Sequence, residues 1–149
     1  MKKYLSFLFG LLLLCAAGCT KYDSNTPDTK GNKKAFRNMT GFVPDSRIKG
    51  IRVYADEFSG IDPLYCMAFT ATPGAVARIV GMREMKKTIP SEWHDNFHVP
   101  SSIKWWNAEE RKISDYYVAE VKRNGTTEIM YYLWHDPKTG KCQFMMVCF

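Results

Sequence analysis

A chain of 149 residues with 46 % hydrophobic and 24 % charged side chains has material for one folded domain. Its net charge of +6 is concentrated near the start: Lys2 and Lys3 supply two charges, and Lys21, Lys30, Lys33, Lys34 and Arg37, set against Asp23 and Asp28, put +3 on residues 20–40. The remainder is close to neutral, so a nucleic-acid-binding reading lacks its electrostatic footprint.

In chain order, the first feature is Lys2-Lys3, an apolar run from Tyr4 to Leu14, and the small residues Ala16-Ala17-Gly18 ahead of Cys19. This is the pattern of an export signal, and the run is shorter than the roughly 20 residues a membrane span requires. The stretch Leu14-Cys15-Ala16-Ala17-Gly18-Cys19 resembles the signal of bacterial lipoproteins. That resemblance implies cleavage between Gly18 and Cys19 and lipid on the Cys19 thiol and amine. Leucines precede Cys15, which disqualifies it, and Ala16 stands where the usual box carries leucine. Three acyl chains, palmitate among them, would anchor the chain permanently at about 0.8 kcal/mol per buried methylene. Thr20, in place of an aspartate, implies by the same resemblance the outer membrane, facing the periplasm. An ordinary secretory signal with a chance cysteine is the alternative.

Residues 19–40 are polar, contain Pro27 and Gly31, and read as the lipidated cysteine followed by a flexible tether. Such a coil spans roughly 25 Å. Its basic residues also suit anionic lipid, though a solvated linker is the simpler account. Residues 41–149 then form a single domain. Ile51 and Val53 alternate with Arg52 and Tyr54 as in a half-buried strand, and Ser59 to Pro63 reads as a turn. Leu64 to Phe69 is a nearly continuous apolar strand. Thr72-Pro73 opens a helix expected over 73–87, with Val76, Ile79 and Val80 on one stripe and Lys86 and Lys87 at its end. Gly81 is read as letting that helix sit close to the sheet.

Residues 88–106 are irregular, and Asn107-Ala108-Glu109-Glu110 has the spacing of a capped short helix. Strands 116–123 and 126–135 flank Asn124-Gly125, a two-residue hairpin signal. Asp136 to Gly140 then turns the chain into a last strand, 141–149. With a tight Asn-Gly turn, Tyr117, Ala119, Val121, Met130, Tyr132, Trp134, Phe144 and Met146 share one face, and Val118, Ile129, Tyr131, Leu133, Met145 and Val147 the other. Both are apolar, so one face must meet the helix and the other needs cover from 88–106 or a partner. The fold class is α+β: two layers, an antiparallel sheet of about five strands in the order β-β-α-short α-β-β-β, packed on one main helix. Phe69-Thr70-Ala71, the Trp105-Trp106 pair and the Trp134 to Gly140 segment resemble small, uncharacterised secreted bacterial α+β domains. That resemblance implies architecture and no catalytic residue.

After lipidation, Cys66, Cys142 and Cys148 remain in an oxidising compartment. Cys142 and Cys148 lie six residues apart on one strand, about 20 Å at 3.3 Å per residue, too far to bond. Cys66 and Cys142 are the candidate disulfide pair, with buried free thiols as the alternative. Cys66 as a nucleophile would need a base that no motif supplies. His94 and His98, with Asp95 and His135, could approach a metal site only if helical, and Pro90 and Pro100 bracket them; solvated loop histidines are the better account, so no metal or other cofactor is expected. Trp93, Trp105 and Trp106 are either a lid on the core or a platform for sugar rings or a partner. Asp115, Glu120 and Glu128 read as turn or solvent-face charges. The expectation is a noncatalytic, membrane-anchored envelope lipoprotein that binds a periplasmic protein, in the manner of an immunity or inhibitor protein. The second reading is a glycan- or small-ligand-binding module using the Trp-rich segment.

Overall fold

The computed structural model describes Tyr22 and residues 24–56, 63–89 and 99–149. Cys19, Gly18, Trp93, His94, Asp95 and His98 lie outside these. The described chain is α+β with one antiparallel sheet, but the sheet has six strands rather than about five, and two helices of ten residues or more back it. Among the described residues no helix is long and apolar enough to cross a membrane.

The first helix, α1 (Lys30–Thr40), lies where a flexible tether is expected. Thr29 caps it by accepting from the Asn32 N–H at 3.1 Å. Gly41, in the left-handed region at φ 90°, closes it with its N–H on the Arg37 carbonyl. Ala35, Phe36 and Met39 occupy one stripe and are buried, so the tether reading is corrected for residues 30–40. The preceding turn is fixed as well. The Asp28 carboxylate accepts from the Gly50 and Ile51 N–H groups at 2.9 and 3.0 Å, and buried Asn32 donates Nδ2 to the Thr26 and Ile51 carbonyls, both at 3.0 Å. These bonds serve a bulge between Lys49 and Arg52 in an edge strand, where backbone groups lack a regular ladder.

β1 (Ile48–Asp56) and β2 (Leu64–Ala71) pair antiparallel, and Thr72 and Pro73 start α2 (Pro73–Met82) as the sequence leads one to expect. α2 ends five residues early. After Val80 the next buried apolar side chain is Met85, off the helical stripe; Glu84 turns left-handed at φ 51° and the Met85 N–H reaches the Val80 carbonyl at 2.9 Å. This Schellman-type stop frees Lys86 and Lys87 for a short strand, β3 (Lys86–Thr88). Gly81 is exposed, and a Cβ there would meet nothing within 4 Å, so close packing on the sheet is not its role.

α3 (Ala108–Lys112) is capped by Asn107, and β4 (Asp115–Arg123), β5 (Thr126–His135) and β6 (Lys141–Cys148) form the meander. The sheet order is β1-β2-β6-β5-β4-β3. The expected division of faces is wrong for β5, which is turned over relative to both neighbours. Glu128 is an extra residue between the Lys122↔Thr127 and Val121↔Ile129 pairs, and four residues bridge Asp136 and Lys141, which makes Phe144 the partner of Leu133. Tyr117, Ala119, Ile129, Tyr131, Leu133, Phe144 and Met146 therefore share the face under α1 and α2. Tyr116, Val118, Met130, Tyr132, Trp134, Met145 and Val147 share the other, and Val99, Trp105 and Trp106 cover it. The sheet is a middle layer with a core on each side.

Candidate functional site: the tryptophan segment and two surface clefts

Short turns through 100–106 bring Trp105 and Trp106 over the second sheet face. Trp106 stands edge-on to Trp134 (centroids 5.8 Å, 90°) and to Trp105 (6.3 Å, 87°). The Arg111 guanidinium lies 4.9 Å from the Trp106 ring centre and 5.3 Å from that of Trp134. Arg111 also donates to Gln143 Oε1 at 3.1 Å, and Gln143 Nε2 donates to the Asn107 carbonyl at 3.0 Å, which ties α3 to β6. Trp106 is thus a lid on the core. Trp105 donates its indole N–H to the Ser24 carbonyl at 2.7 Å and presents part of its ring to a cleft.

That cleft holds about 240 Å³ and is lined by Arg52, Lys104, Trp105, Glu110, Lys141 and Gln143 among others. Its three cations outnumber its one carboxylate, and Glu110 is already engaged by Lys141 at 2.7 Å. Arg52 Nε is buried there with no hydrogen-bond partner among the described residues. A smaller hollow of about 190 Å³, lined by Ile113, Ser114, Trp134, Asp136 and Thr139, lies across the same Glu110–Lys141 pair. Burial costs a cation its hydration unless a partner replaces it, so the chemistry that fits the first cleft is an anionic group beside an aromatic wall.

A larger groove, about 780 Å³, runs along the outer side of β4. β3 pairs only with Tyr116–Val118, so among the described residues 119–123 of β4 have no strand on that edge. Met82 (51 % exposed), Ile89 (85 %) and Val121 (41 %) line the groove. Arg83 also lines it, donating to the Met39 and Asn38 carbonyls at 2.7 and 2.6 Å and lying 4.7 Å from the Tyr131 ring centre.

The cysteine pairing expected from sequence is overturned. Cys66 faces the tryptophan-side core and Cys142 the helix-side core, so strand alternation points the two thiols to opposite faces of the sheet. Their strands are adjacent, but Cys66 pairs in register with Met145, three residues beyond Cys142. Cys148 shares the Cys142 side, six residues away. No disulfide joins the three, and burial pushes the Cys66 and Cys142 thiols well above the ordinary thiol range, the opposite of an activated nucleophile. His135 is buried and its pKa is lowered by desolvation, against the pull of Asp115 and Asp136. Among the described residues no three His, Cys, Asp or Glu side chains are grouped to hold a metal. Asp115 pairs with Lys87 at 2.7 Å, Glu120 with Lys122 at 3.1 Å and Glu128 with Arg123 at 3.1 Å, as surface charges do.

Arg52, Arg111 and Gln143 escaped the sequence reading. Gln143 carried a usable signal, since a polar residue inside the apolar run from Cys142 to Val147 must find buried partners. Arg52 and Arg111 carried none, because their roles depend on what folds over them. Comparison with family models, curated proteins and solved structures returns no match.

Proposed function

We propose that this chain is an envelope lipoprotein, held by lipid on Cys19 and facing the periplasm, whose domain binds a protein partner without performing chemistry on it. An immunity- or inhibitor-like role is its concrete form. The observation that supports it is the groove beside β4. A run of edge backbone next to exposed Met82, Ile89 and Val121 suits an extended apolar segment of the partner, which would add a strand and seat alternate side chains against those residues. The groove's lining charges, Arg83 and Lys86 against Glu84 and Glu120, balance, so it favours an apolar segment over a charged one.

A photo-crosslinking residue at Val121, placed in cells, should give a discrete adduct that a Met82→Asp change abolishes. The same probe at Lys49, on the far edge strand, should give none. Equal adducts from both positions, or none from Val121, would reject the groove. The anchor is tested separately: Cys19→Ser or globomycin should leave a larger precursor, and unchanged mobility would sink that part of the proposal.

A second reading, a glycan- or small-ligand-binding module, is favoured by Arg52 Nε buried without a partner beside Trp105. Titration with acidic muropeptides should quench tryptophan emission, and Arg52→Gln should remove the response. Emission unchanged at millimolar ligand would reject it.

A further inference from the structure

We infer that the outer face of α1 is a seat for anionic lipid headgroups, so that the domain lies against the membrane instead of hanging from it. The inference rests on the lipid anchor proposed at Cys19. Tyr22, three residues on, already packs against the helix-side core and stands edge-on to Tyr65 at 6.3 Å. Three residues span at most about 11 Å, far short of the roughly 25 Å of a twenty-residue coil. Ser24, Thr26 and Asp28 are then bonded to Trp105, Asn32 and the β1 bulge. The fold therefore begins within about 11 Å of the lipidated residue, which holds the surface near Tyr22 beside the headgroups.

α1 supplies that surface. Its inner stripe is buried in the same core as Tyr22, while Lys30, Lys33, Lys34 and Arg37 are all exposed. No acidic residue occurs from Thr29 to Pro44, and none of the four cations joins an ion pair among the described residues. The position of the three lysines is also costly to the helix itself. Three lysines fall in its first five residues, at the positive end of the helix dipole, where carboxylates are favoured, and its first turn has no acid. Folding does not explain such an arrangement, whereas an anionic surface beside the helix does. Near such a surface each cation strengthens attraction about five-fold, within a Debye length.

The test uses the mature lipidated chain in nanodiscs of phosphatidylcholine alone or with one-third phosphatidylglycerol, with amine acylation followed at each lysine by mass spectrometry. Lys30, Lys33 and Lys34 should react several-fold more slowly in the anionic discs, and high salt should restore their rate. Lys122 and Lys138 should not change. In the exposed-site variant Lys33→Glu, Lys34→Glu, Arg37→Glu, the protection of Lys30 should vanish. Equal rates in the two discs, or protection indifferent to salt, would overturn the inference. The mass of the Cys19 peptide reports the anchor independently. If it carries no acyl chains the anchor reading fails, and the same footprint on anionic vesicles then decides the helix face by itself.

Discussion

Phe36→Ala distinguishes a structural α1 from a tether. Phe36 is fully buried and meets two rings edge-on, Phe42 at 5.5 Å and Phe69 at 5.3 Å. Truncating a buried phenylalanine costs about 3–5 kcal/mol, and each such ring pair adds about 0.5–1.5 kcal/mol beyond burial. A loss near the upper end, about 4–5 kcal/mol, is expected, which is about a quarter or more of a stability of about 5–15 kcal/mol. For a domain of this size that corresponds to a fall in Tm of about 15 °C. Urea unfolding of the protein, followed by tryptophan emission, would show the midpoint drop with the slope m unchanged. Lys34→Ala, exposed on the same helix, should stay within about 0.5 kcal/mol. A change below about 1 kcal/mol in Phe36→Ala would refute the claim that α1 belongs to the core.

Gly140→Ala and Gly81→Ala should act in opposite directions under the same assay. Gly140 has φ 71° and a Cβ there would sit 2.9 Å from the Ala71 carbonyl oxygen, so a loss of about 1–3 kcal/mol is expected. Gly81 has open space around it inside a helix, so alanine should stabilise by up to about 1 kcal/mol; the reverse order would disprove both assignments. His135 has a folded pKa below its unfolded value of 6.5, so its contribution is complete above pH 6.5 and is lost as pH falls through the folded value. His135→Gln should flatten stability over that acidic window, and an unchanged pH profile would exclude His135 as its source. Alkylation of the native protein should label partly exposed Cys148 first, with Cys66 and Cys142 reacting only on unfolding. A Cys66–Cys142 bridge in nonreducing peptide maps would refute the register that separates them.

The sequence by itself determined what local chemistry controls. Thr72-Pro73, Asn107 and Asn124-Gly125 set a helix start, a cap and a turn within three or four residues, and each stands where expected. The alternating and continuous apolar runs likewise placed β1, β2 and the meander, because strand periodicity needs no distant partner. What needed distant partners was not legible. α1 has only three apolar residues on its stripe, and it becomes a helix of the core because Phe69 and the β1 bulge receive it. The side to which β5 turns depended on one bulged residue, Glu128, and one loop length, and that alone put Cys142 and Leu133 on the same face. Trp105 and Trp106 were visible as candidates, but tertiary packing assigned one to the core lid and left the other at a cleft with Arg52, a neighbour more than fifty residues away. A one-residue shift in pairing reverses every side chain on a strand, so the sites of such a sheet belong to the register and not to composition.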